Sequence, residues 1–207
     1  MTTLDKTTDS PEVQPSRRLF RGGEAGTRWK FDVAAYHKMA EAGILVKNDH
    51  VELIDGDLIV MSPIGDKHFG CVAYLTQTLA ALIVGRGITS VQSSIRLDDH
   101  SEPEPDLVLL RPRPDFYRQG LPRPADVLLL IEVMDSSASY DRGVKLSKYA
   151  SSGIAEVWLV DLNRELVEVC RRPLAGSYTA RQELSRGEGL APEAFPDVLL
   201  QVDAILG

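Results

Sequence analysis

The chain has 207 residues, 43% of them hydrophobic and 26% charged, which is enough for one packed core and short of two. Its formal net charge of -7 excludes a protein that coats nucleic acid through bulk charge, because such binding takes clustered Lys and Arg, so any nucleic-acid contact must be local. The two cysteines, Cys71 and Cys170, stand outside any CxxC spacing, so neither a zinc cluster nor a disulfide framework is expected and both read as core residues in a reducing cytoplasm.

Residues 1–27 are polar and punctuated by Pro and Gly, and they read as a disordered arm without a signal-peptide core, ahead of a single domain over 28–207. From Asp32, a candidate N-cap, VAAYHKMAEA places Val33, Tyr36, Met39 and Ala40 at helical spacing, and Gly43 closes the helix. VELI and LIVM then flank Asp55-Gly56-Asp57, a strong hairpin signal. The span from about His68 to Val84 sets Val72, Leu75, Leu79, Leu82 and Ile83 on one helical face, ended by Gly85 and Gly87.

ITSVQSSIRL alternates like a half-buried strand, whereas DLVLLR and DVLLLIEVM are almost uninterrupted apolar runs, the pattern of strands covered on both faces. RPRPDFYRQGLPRPA between them is a surface loop. A helix from about Ser139 to Ser151, with Asp135, Ser136 and Ser137 leading into it and Gly153 closing it, feeds EVWLVD, a turn at Leu162-Asn163-Arg164 and ELVEVCRR. Past Pro173 the signals weaken. The order predicts an α/β fold, a mixed sheet with a helix on each face. No stretch reaches the roughly 18 apolar residues that a membrane span takes.

Two acids interrupt the buried runs: Asp106 opens DLVLL, and Glu132 sits late in DVLLLIEVM. A buried carboxylate costs several kcal/mol unless it is paired or bound to a cation, so acids on adjacent buried strands point to a hard divalent ion or to a basic partner. The blander reading places both at strand ends, solvated or paired with arginine. Glu52 stands in the first hairpin strand, and Lys145 and Lys148, less than one helical turn apart, follow Glu132, so one of them faces it. Carboxylates plus one lysine are what metal-assisted phosphodiester hydrolysis requires.

These pieces, in this order, resemble the Uma2 family, also called DUF820, a branch of the PD-(D/E)xK nuclease superfamily. The resemblance covers roughly residues 28–172 and rests on YHKMAEAGIL, VELIDGDLIVMSPIGDKH, SEPEPDLVLLRPRPDFY and IEVMDSSASYDRGVKLSKYASSGIAEVWLVDL. It implies a restriction-endonuclease-like core with Asp106 and Glu132 as ligands of Mg²⁺ or Mn²⁺, joined by the Val133 carbonyl. Glu52 matches the family's upstream acid and Lys145 its helix lysine, with Lys148 as the rival. Met134 stands where the superfamily motif would have its lysine. His68 matches a family histidine that contacts substrate or ligand sphere, Gln92 is a weaker substrate contact, and Arg111 belongs to a basic loop able to grip a phosphate backbone or simply to be solvated. Asp141 and Tyr149 read as residues that hold the helix, and Trp158 as core.

Two functions follow. One is a metal-dependent endonuclease acting on DNA, a homodimer because two strand breaks take two sites. The other is a nuclease-fold module that no longer cleaves and serves binding or regulation, which the acidic net charge and the absence of a DNA-reading motif favour.

Overall fold

The computed structural model describes residues 28–61, 63–135 and 140–207. The expected arm over 1–27, and the capping roles of Ser136 and Ser137, lie outside the described residues. Asp32 caps helix α1 (Val33–Glu41) by accepting the Ala35 N–H at 2.7 Å. Gly43, at φ +71°, closes it with backbone bonds back to Ala40 and, from Ile44, to Met39. Strands β1 (Val51–Ile54) and β2 (Asp57–Val60) form the antiparallel hairpin that the Asp-Gly pair predicts. Asp55 and Gly56 both have positive φ, 47° and 79°, as a type I′ turn requires. A Cβ on Gly56 would stand 2.8 Å from that of Lys30, so close approach also demands glycine there.

Helix α2 (Asp66–Leu82) begins two residues earlier than its apolar spacing suggests and buries Cys71, Val72, Leu75 and Leu79, whereas Leu82, read as part of that face, is exposed. The main sheet has six strands in the order β3-β4-β5-β6-β7-β8, where β3 is Ile88–Val91, β4 Leu107–Leu110, β5 Val127–Met134, β6 Glu156–Asp161, β7 Leu166–Leu174 and β8 Ser177–Ser185. Every neighbouring pair is antiparallel except β5–β6. A parallel pair needs a crossover. Here a π-helical turn (Asp141–Lys145) and helix α3 (Leu146–Ser151) supply it.

The uninterrupted apolar runs are interior strands because both of their faces are covered. On one face α2 packs with Leu107, Leu109, Ile131, Val133 and Trp158, joined by the C-terminal helix α4 (Val202–Leu206). On the other, Leu146, Tyr149 and Ala150 of α3 pack with Val108, Leu130, Met134, Val157 and Cys170. Cys71, Cys170 and Trp158 are core residues, as the sequence suggests. The fold is thus the α/β architecture read from the sequence, a mixed sheet between helices.

Two expectations change. ITSVQSSIRL is not one strand: β3 stops at Val91, Gln92 takes φ 43°, and Ile95 and Leu97 bond back to Pro103 and Ser101 instead of to β4. Their alternation was burial without sheet pairing. Beyond Pro173, where sequence signals fade, β7 and β8 form a long hairpin, followed by the two-stranded β9–β10 (Gly189–Leu190 with Leu200–Gln201). Pro173 is tolerated because β6 reaches only to Arg171, so its missing N–H faces no partner strand on that side. Among the described residues no helix is long and apolar enough to cross a membrane.

Candidate active site

Antiparallel pairing sets Leu107 of β4 opposite Ile131 of β5, so Asp106, just before β4, lies beside Glu132 and Val133. Beyond that pairing the Asp106 side chain takes over the backbone's task, its Oδ2 accepting the Val133 N–H at 2.8 Å. A strand residue presents its N–H and C=O to the same side, so the Val133 carbonyl leaves β5 on the Asp106 side. Asp106 Oδ1 lies 3.0 Å from His68 Nε2, placed by the first turn of α2. That hydrogen bond raises the His68 pKa above its ordinary value, against the opposing pull of burial.

Glu132 points to the opposite face of β5 from Ile131 and Val133, towards the crossover helix, and is 3% exposed. Its Oε1 lies 2.8 Å from Lys145 Nζ and accepts a hydrogen bond from the Tyr149 hydroxyl at 2.5 Å. Burial pushes the Glu132 carboxyl up to about 8 although Lys145 pulls the other way. Burial alone would lower the Lys145 pKa, but Glu132, Glu52 and Asp141 outweigh it and keep the ammonium charged. Glu52 Oε2 is 3.4 Å from Lys145 and accepts the Glu104 N–H at 3.1 Å; Asp141 Oδ1 is 3.9 Å from the ammonium.

Glu52, His68, Gln92, Asp106, Glu132, Asp141 and Lys145 border one cleft of about 1120 Å³, with Tyr149 buried behind Glu132. Gln92 also donates its backbone N–H to the Asp106 carbonyl at 3.1 Å. Lys148 is turned away, paired with Asp55 at 2.5 Å and Asp98 at 2.6 Å. Arg111 is not brought to the cleft. It follows the far end of β4, where its Nε donates to the Ala125 carbonyl at 2.9 Å. Arg113 of the same loop is occupied by Asp115 and lies over the Tyr117 ring.

Sequence reasoning left Asp141 and Tyr149 as helix supports, yet both converge on the site, as do Glu104, Asp135 and Tyr140. The available signal was spacing: Asp141, Lys145 and Tyr149 are each four residues apart, hence one helical face.

The donor chemistry fits a hard divalent cation: the cleft is bordered by the carboxylates of Asp106 and Glu132, and the Val133 carbonyl emerges beside Asp106. Among the described residues no group of three or more His, Cys, Asp or Glu is arranged to hold a metal by itself. Two carboxylates and a carbonyl suit an ion such as Mg²⁺, which keeps several of its waters, better than a closed protein cage would.

A search of curated proteins finds no match. Among solved structures, the fold is similar to a crystal structure described as "a putative nuclease belonging to DUF820" from Anabaena variabilis ATCC 29413, with 15% identity, a TM-score of 0.63, and 80% of this chain and 94% of that chain covered. The family model of Uma2, described as "Putative restriction endonuclease", matches residues 33–203, well beyond the stretch in which the sequence motifs lie. The chain therefore belongs to the Uma2 family.

Proposed function

We propose that this protein is a metal-dependent endonuclease that hydrolyses DNA phosphodiester bonds, with Asp106, Glu132 and the Val133 carbonyl holding Mg²⁺ or Mn²⁺. The observation that carries this reading is the meeting, in one cleft, of Asp106 on the Val133 amide with Glu132 on Lys145. When bound there, a divalent ion supplies charge neutralisation at the phosphate and a lowered pKa for water.

The chain's own residues do the rest. His68 and the Val133 amide fix the Asp106 carboxylate through its two oxygens. Lys145 fixes Glu132 and brings a permanent positive charge beside the place of reaction, and Glu52 holds Lys145 in turn. Gln92 and His68 border the same cleft and are the substrate contacts of this reading. Arg111 has no part in it unless the nucleic acid extends past the far end of β4.

A second reading, a nuclease-fold binding module without cleavage, draws on one feature: Lys145 is enclosed by three carboxylates in a cleft otherwise rich in acids. An anionic backbone entering such a cleft is repelled unless a cation is present. The two readings separate in one assay, in which plasmid, linear and single-stranded DNA are offered with Mg²⁺, with Mn²⁺ and with a chelator. The nuclease reading expects cutting that the chelator stops. Intact DNA in every lane, from a wild type that binds no divalent ion, supports the module.

A further inference from the structure

We propose that Tyr149 is a positioning residue of this site: with Lys145 it holds one oxygen of Glu132, Oε1, and so presents the other, Oε2, to the cation. The inference rests on the metal-site reading above.

Three observations carry it. The Tyr149 hydroxyl donates to Glu132 Oε1 at 2.5 Å, and Lys145 Nζ stands 2.8 Å from that same atom. Two donors on one carboxylate oxygen fix both the side-chain torsion and which oxygen is engaged. Tyr149 itself cannot swing away, since it is fully buried against the sheet face that bears Leu130, Met134 and Val157. Finally, Lys145 and Tyr149 are four residues apart at the point where the π-helical turn Asp141–Lys145 passes into α3, so one rigid piece of backbone sets both donors.

A phenol in this place has no packing reason to keep its oxygen. An unpaired hydroxyl among apolar side chains would be costly, whereas one bonded to Glu132 restricts a carboxylate that must meet a cation in a defined direction. The division of labour is specific. Lys145 supplies charge, Tyr149 supplies direction, and Glu132 is left one oxygen for ligation.

The test is Mn²⁺ titration by calorimetry into the full-length wild type and Tyr149→Phe, with thermal unfolding of both. Phenylalanine keeps the ring and its packing, so the variant folds; Tyr149→Leu removes hydroxyl and ring together, and its difference from Tyr149→Phe reports what loss of the ring adds. The inference predicts that Tyr149→Phe weakens Mn²⁺ binding by roughly ten- to a hundredfold. It also predicts that kcat for DNA falls while KM stays close to the wild-type value, because the substrate's own contacts are untouched. Tyr149→Phe binding Mn²⁺ within about twofold of wild type would overturn the inference while leaving the metal site standing. A wild type that binds no Mn²⁺ overturns the metal site, and the role of Tyr149 falls with it.

Discussion

Asp106 Oδ2 accepts the Val133 N–H at 2.8 Å, so the carboxylate that faces the cleft also completes the edge of β5 just ahead of the start of β4. The two tasks can be separated. In Asp106→Asn the amide oxygen can still accept from Val133, so the thermal midpoint should stay near wild type while cation binding is lost. Asp106→Ala removes the acceptor as well and should cost a further 1–3 kcal/mol or so, the order of a buried donor left unpaired. Calorimetric metal titration and thermal unfolding of both variants check this. Equal stability of Asn and Ala variants would contradict the structural half of the claim.

Lys145 and Lys148 should behave as opposites. Lys145 is 5% exposed among Glu132, Glu52 and Asp141, so Lys145→Ala leaves buried carboxylates without their cation and should destabilise the protein by about 3–5 kcal/mol as well as ending cleavage. Lys148 bonds to the exposed Asp55 and the half-exposed Asp98 at the protein's surface, and Lys148→Ala should cost no more than about 1 kcal/mol and leave activity within a few-fold. Denaturant unfolding together with a nicking assay decides; a Lys148 variant that loses all cleavage would reverse the assignment.

The two thiols make a prediction about pH. Burial pushes both Cys71 and Cys170 up to about 12 from an ordinary 9.0, with Asp106 adding to the first and Glu168 to the second. A raised folded-state pKa means that the protonated form is the stabilised one, so this contribution is complete below the unfolded value and is lost as pH rises from there towards the folded one. Stability should therefore decline through the alkaline range, and less steeply in a Cys71→Ala, Cys170→Ala variant once its lower starting stability is allowed for. Iodoacetamide at mildly alkaline pH should leave the native protein unlabelled and modify both residues in denaturant, because the thiolate is the reactive form. Rapid labelling of the native chain would show that the burial is wrong.

Much of this was legible in the residues, and for identifiable reasons. The Asp55-Gly56 hairpin, the Asp32 cap and the buried runs of β4 and β5 are local signals that tertiary contacts had no cause to override. Asp106 and Glu132 stood out because a charge in a buried run needs a partner. What the sequence withheld depended on non-local contacts. Ile95 and Leu97 alternate like strand residues, but their partners are Pro103 and Ser101 a few positions on, a choice that burial pattern alone does not show. The choice between Lys145 and Lys148 turned on where the helix starts and on its π-helical first turn, neither of which periodicity reports. The β7–β8 hairpin was faint because β8 lies at the sheet's edge and alternates only at a few positions, with Tyr178 and Leu184 turned inward. Arg111 was grouped with the site through its neighbourhood in sequence, whereas β4 separates it from Asp106 by the strand's whole length.

The measurement that bears most directly on the central claim is Mn²⁺ titration by calorimetry run beside plasmid cleavage for the wild type, Asp106→Ala and Glu132→Ala. The account predicts a bound ion and metal-dependent cutting in the wild type, with both lost in each variant although its fold persists. Cleavage that survives either substitution, or a wild type that binds no divalent ion, would contradict it.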